Sequence, residues 1–248
     1  MAKLILNSEN HANIPDTPEE REPLQDAEEL HLQQTGPIFV TEVPGVTSKG
    51  DQSDEMLKSL TLEMLASIYH PSTWIRVYTD GSADQAVRNG GSGVLICYKH
   101  GRKQSRSFPV GSIATNYRTE TTALLEAAKT LKQENQTHTN IVFLTNCRSI
   151  LQCLQHPRKQ LERNTLKVLC ELSQDSQVIV QWIPAHCGLA GNDEADTLAK
   201  AGSRKEQPNL PVSYRECKTL IRRNYQTRFT EENGPQLEDE MQSLPAGV

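Results

Sequence analysis

Three carboxylates stand where a chain of alternating strand and helix signals changes direction. Asp80 closes the apolar-rich run "WIRVYT" and precedes Gly81 and Ser82, so it emerges at a turn where backbone can come close to a ligand. Glu120 lies in the first turns of "YRTETTALLEAAKTL", and the apolar stripe at positions 124, 128 and 131 puts it on the sheet-facing side. Asp196 lies a full turn inside "NDEADTLAKAG", on the face of Ala199 and Lys200, whereas Asp193 sits near Asn192 at the cap, where the helix dipole favours any acid. Singly, each has an ordinary explanation, because turn aspartates and first-turn glutamates are common. Gathered together they would repel one another unless a cation sat among them. Hard oxygen donors suit Mg²⁺ or Mn²⁺. Two such ions about 3.5 to 4 Å apart activate a water and stabilise the leaving oxygen of a phosphodiester. His186, on a Pro/Gly loop ten residues ahead of Asp196, reads as a mobile group for proton transfer or product departure rather than as a ligand.

The elements that must position these groups follow from periodicity. "TWIRVYTDG", "GSGVLICYKHG" and "RKQSRSFPV" predict three strands joined by Gly-bearing turns, an antiparallel meander. A helix follows, with Ala123, Leu124, Ala127, Ala128 and Leu131 as its stripe and Thr115 or Asn116 as its cap. "NIVFLT" is a continuous apolar run, as a central strand buried on both faces would be. "CRSILQCL" and "QLERNTLKVLCELSQ" predict two helices, "VIVQWIP" a strand, and "NDEADTLAKAGS" a helix ended by Gly202. The order βββαβααβα implies an α/β mixed sheet with helices over its faces.

Outside this centre the chain changes character. From Asn7 to Ser53 there are prolines at 15, 18, 23, 37 and 44, repeated acids and almost no apolar periodicity, the composition of an acidic disordered leader or linker. Residues 54–71 predict a linker helix capped by Ser53 and stopped by Pro71, with Met56, Leu57, Leu60, Met64, Leu65 and Ile68 on one stripe. Residues 204–248 begin with a basic amphipathic helix in "SYRECKTLIRRNYQTRF" and continue as a disordered tail.

The net charge of −5 hides an asymmetry. Residues 1–71 hold 4 Lys+Arg against 13 Asp+Glu, residues 72–203 hold 15 against 11, and residues 204–248 hold 7 against 7. The central part is basic around its own clustered acids, which suits a polyanionic partner. Six scattered cysteines without a C-x-x-C pair argue against a disulfide framework or a zinc site, the pair His186 and Cys187 included. No apolar run approaches the ~20 residues of a membrane span, and the amino-terminal residues lack a signal-peptide core. The expectation is a soluble intracellular protein, cytoplasmic or nuclear, with no membrane partner.

At these residues the sequence resembles type 1 ribonuclease H, and within it the domain carried by non-LTR retrotransposon polyproteins. "YTDGSA", "TNYRTETTALLEA", "FLTNCRSIL" and "WIPAHCGLAGNDEADTLA" follow the family's order and spacing from Trp74 to Gly202. The resemblance implies a five-stranded sheet, three antiparallel strands and then two parallel, in a domain spanning residues 72–203. It implies an endonuclease that cuts the RNA strand of RNA:DNA hybrids with two Mg²⁺ or Mn²⁺ ions per site. Asp80, Glu120 and Asp196 would be metal ligands, His186 the mobile auxiliary group, and Thr115 and Asn116 substrate contacts, with the chain part of a larger reverse-transcriptase polyprotein.

The sequence departs from the family at Asn146, where the resemblance expects an aspartate. The amide keeps the shape and one carbonyl donor but removes a negative charge from the cluster, so slow cleavage is expected. Two other readings compete. Asn146 favours a catalytically inactive module that holds hybrid without cutting it. The acid-Gly turn also occurs in actin-like ATPases, but those need a second comparable domain and further Gly-rich phosphate loops, which this sequence lacks.

Overall fold

The computed structural model describes residues 36–47, 52–135 and 138–226. Contacts divide them into two units, one running to Leu210 and one beginning at Pro211. The expected leader up to residue 35 and the expected tail beyond residue 226 lie outside the described residues.

In the first unit, runs rich in Val, Ile, Leu and Tyr form the sheet. Its strands are β1 (Ile38–Val40), β2 (Trp74–Asp84), β3 (Arg88–Cys97), β4 (Lys103–Ile113), β5 (Asn140–Thr145) and β6 (Gln177–Trp182). The spatial order is β1-β6-β5-β2-β3-β4. β2, β3 and β4 form the antiparallel meander, while β5 pairs in parallel with both β2 and β6. The expected α/β mixed sheet is present, with one more strand than expected. β1 pairs in parallel with β6 and comes from within the segment read as leader, so that reading is corrected at Ile38–Val40. Three residues between Pro37 and Pro44 give too short a pattern for periodicity to register, and an edge strand can be that short because it needs only one partner.

The helices are α1 (Asp54–Ser67), α2 (Asn116–Gln133), α3 (Arg148–Gln155), α4 (Gln160–Ser173) and α5 (Ala190–Ser203). In the second unit residues 214–226 form a helix, α6. Ser53 caps α1 by accepting from the Met56 N–H at 3.3 Å. Leu57, Met64 and Leu65 of α1 join the main hydrophobic cluster, so this helix belongs to the core, although Met56 and Ile68 of the expected stripe are about half exposed. β5 is buried on both faces: Ile141, Val142, Phe143 and Leu144 are fully enclosed. All six cysteines are free thiols. Among the described residues no helix is long and apolar enough to cross a membrane.

Two close approaches fix where the acids sit. A Cβ on Gly81 would lie 2.4 Å from Thr119 Oγ1 and 2.5 Å from the Glu120 N, so only glycine lets the start of α2 press against β2. A Cβ on Gly93 would lie 2.0 Å from the Ala195 carbonyl oxygen, and one on Gly91 2.1 Å from that of Ala199, so the glycines of β3 admit the backbone of α5.

Candidate active site

Asp80 comes from β2 in the middle of the sheet and is buried, with the Gly81 N–H donating to its Oδ1 at 2.8 Å. Glu120, one turn into α2, reaches the same place and is buried too. The two carboxyl groups are close enough to hydrogen-bond. Burial pushes the Glu120 carboxyl well above its ordinary range, and the Asp80 charge beside it adds to this. Burial also raises Asp80, while hydrogen bonds from Glu120, the Gly81 N–H and the Asn146 amide pull the other way, and the Asp196 charge raises it further.

Asn146 therefore lies beside Asp80, just past the end of β5, and its backbone carbonyl accepts from the Trp182 indole N–H at 3.2 Å. Asp196 of α5 is near enough to act on Asp80 through its charge, but its Oδ2 accepts from Lys200 Nζ at 2.6 Å. Among the described residues no three His, Cys, Asp or Glu side chains close into a ligand set. The structure thus brings Asp80, Glu120 and Asn146 into contact and leaves Asp196 at the margin, turned to a lysine.

His186 is exposed, in the left-handed region at φ 57°, and makes no hydrogen bond or ion pair with the acids among the described residues. Its loop follows β6 and leads into α5, so it enters near Asp196 in sequence without joining the cluster. Thr115 caps α2 by accepting from the Arg118 N–H at 3.4 Å, and Asn116 is exposed one residue on, a turn ahead of Glu120. These two open the same helix that carries Glu120.

The residues at hand suit a divalent cation in part. Glu120 Oε2 is buried with no partner, and the neighbouring Asp80 and Glu120 carboxyls are hard oxygen donors whose mutual repulsion a cation would relieve. Asp80 and Glu120 would hold such an ion, and Asp196 would join once released from Lys200.

Three side chains beyond those singled out from sequence belong to this region. Lys200 holds Asp196, which i,i+4 spacing on α5 makes legible. Arg148 opens α3 two residues after Asn146, its guanidinium 4.0 Å above the Trp182 ring. A cation at a helix start opposes the dipole, and that misfit was the available signal. Glu162 is buried, accepts from the Tyr117 hydroxyl at 2.7 Å and from the backbone N–H groups of Arg158 and Lys159 at 2.8 and 3.1 Å, and so ties the loop before α4 to the first turn of α2. Burial, with Cys153 and Glu162 behind it, keeps the Tyr117 hydroxyl far above its usual range. Of the other basic residues, Arg102 lies 3.7 Å over the Tyr98 ring and pairs with Glu134 at 3.1 Å.

The chain is similar over residues 72–204 to the family described as RNase H. It is 32% identical over 138 residues to the Ribonuclease H of Orientia tsutsugamushi (strain Boryong), covering 52% of this chain and 81% of that protein. Among solved structures it is similar to RNase H1 from the halophilic archaeon Halobacterium salinarum NRC-1, with a TM-score of 0.43, 18% identity, and coverage of 52% of this chain and 96% of that chain. With more than half of its 248 residues inside the matched segment, the chain belongs to the RNase H family.

Proposed function

We propose that this protein hydrolyses the RNA strand of RNA:DNA hybrids as a divalent-ion-dependent endonuclease of type 1, and that Asn146 makes it slow. The observation that carries the reading is the buried Asp80–Glu120 pair with the partnerless Glu120 Oε2, in a chain of this family. Asp80, Glu120 and Asp196 would hold the metal, two Mg²⁺ or Mn²⁺ ions in the full site. When bound, such ions supply a water of lowered pKa and neutralise the charge of the scissile phosphate.

The chain's own groups do the rest. Asn146 offers only a neutral carbonyl where a fourth carboxylate would strengthen the site. Thr115 and Asn116 contact the sugar-phosphate backbone by shape and 2′-OH groups rather than by base. His186, on an exposed loop, moves a proton or helps product leave. The excess of 15 basic over 11 acidic residues in 72–203 favours the hybrid as partner. The same reading takes the chain as an intracellular piece of a non-LTR retrotransposon polyprotein that also carries a polymerase.

Asn146 also favours a second reading, a module that binds hybrid without cutting it. One labelled hybrid, assayed for gel shift and for cleavage in Mg²⁺ and in Mn²⁺, separates the two. Cleavage is expected to be slow in the chain as it stands and at least about tenfold faster in Asn146→Asp. Binding by both forms with no cleavage by either would establish the inactive module. Absence of both binding and cleavage would remove the hybrid as substrate.

A further inference from the structure

Helix α6 (214–226) presents a stripe unlike an ordinary solvated face. Tyr214, Lys218, Arg222 and Tyr225 recur at intervals of four, four and three, which places them on one side of a helix about 16 Å long between the two tyrosines. Tyr214 is 77% and Tyr225 72% exposed, and Lys218 and Arg222 are exposed between them. The opposite side carries Leu220 and Glu216, both buried. Glu216 is the single acid in 214–226, and it is engaged at the cap: Ser213 donates to its Oε2 from backbone N and from Oγ, each at 2.8 Å. Solvated helix faces mix charges of both signs. This one has a single sign, with two outward aromatic rings at its ends.

We infer that this stripe is a second nucleic-acid contact, taking a single-stranded RNA or DNA segment whose phosphates pair with Lys218 and Arg222 and whose bases stack on Tyr214 and Tyr225. Cations spaced between aromatic rings are what a flexible polyanion with exposed π-faces requires. A duplex would use the cations but offer the rings no unstacked base. An acidic protein surface would likewise leave the tyrosines without a stacking role. The inference is independent of hybrid cleavage.

The test is fluorescence anisotropy of the full chain with a labelled 20-nucleotide RNA and the matching DNA, in chelator so that no cleavage intrudes. The doubly substituted Tyr214→Ala/Tyr225→Ala chain is expected to bind at least about tenfold more weakly with an unchanged salt slope. Lys218→Gln/Arg222→Gln should lower the slope of log K against log salt by about 1.4, two phosphate contacts on a single strand. Tyr214→Phe/Tyr225→Phe keeps the π-faces and should bind as the unaltered chain does, which separates stacking from any loss of fold. Loss on RNA alone or on DNA alone assigns the strand. Equal affinity across all variants overturns the inference, as does a tyrosine pair that matters no more than on a poly-glutamate probe.

Discussion

At the scale of single residues, the buried acids set an energy that depends on pH. Glu120 has a folded-state carboxyl well above its ordinary value of 4.5, chiefly through burial. A group raised on folding contributes stability that is fully present below its unfolded pKa and is lost as pH rises through the folded value. In chelator, therefore, the melting temperature of the native chain should fall, relative to Glu120→Gln, as pH rises from about 4.5 through neutral. The glutamine variant has no proton to lose at this position. Mg²⁺ at the upper end should restore the native chain more than the variant, because a cation replaces the missing proton. Thermal melts of both proteins across this range measure it, and a native chain that gains on the variant with rising pH would contradict a Glu120 carboxyl raised by burial.

At the scale of elements, the site depends on how closely two helices approach the sheet. Gly93 admits α5 because a Cβ there would meet the Ala195 carbonyl oxygen at 2.0 Å and the Ala199 N at 2.5 Å, both backbone atoms that cannot swing aside. Gly93→Ala should cost about 3 kcal/mol in chemical denaturation, at the upper end for overpacking, and should displace Asp196 with its helix. Gly101 is the control: at φ 87° a Cβ there meets nothing within 4 Å, so Gly101→Ala should cost only about 1 kcal/mol of backbone strain. Equal losses at the two positions would show that α5 is not held by this contact. Asp80, Glu120 and Asp196 stand out in the sequence because each breaks an apolar pattern. The expected turn at Asp80 is corrected, since β2 runs on through it to Asp84, and Asp196 pairs with Lys200 at the margin. The strands of the meander and β5 and β6 were legible from their period, while the parallel pairing of β5 and β6 came from the family resemblance. What periodicity could not carry was contact across elements. The reach of Glu162 to Tyr117 spans 45 residues, β1 is three residues long, and the glycines of β3 look like any flexible turn until the helix above them is known.

At the scale of the whole molecule, charge is divided against itself. The net −5 combines a basic segment over residues 72–203 with a strongly acidic one before it. Residues 1–35 alone hold 8 Asp+Glu against 2 Lys+Arg, so their removal takes the net charge from −5 to +1 while leaving β1 in place. A polyanion approaching the chain is repelled by the first segment and attracted by the second, and the sum governs encounter at distances beyond about 10 Å only when salt is low. Deleting residues 1–35 should therefore speed association with a labelled hybrid severalfold at about 20 mM salt, with the gain fading by about 200 mM as screening shortens the reach of both segments. Stopped-flow binding of the two chains at both salts, with melting curves to confirm an unchanged fold, makes the comparison. A gain that persists unchanged at high salt would mean that residues 1–35 obstruct the hybrid by contact rather than by field, and no gain at low salt would mean that the basic segment alone sets the encounter.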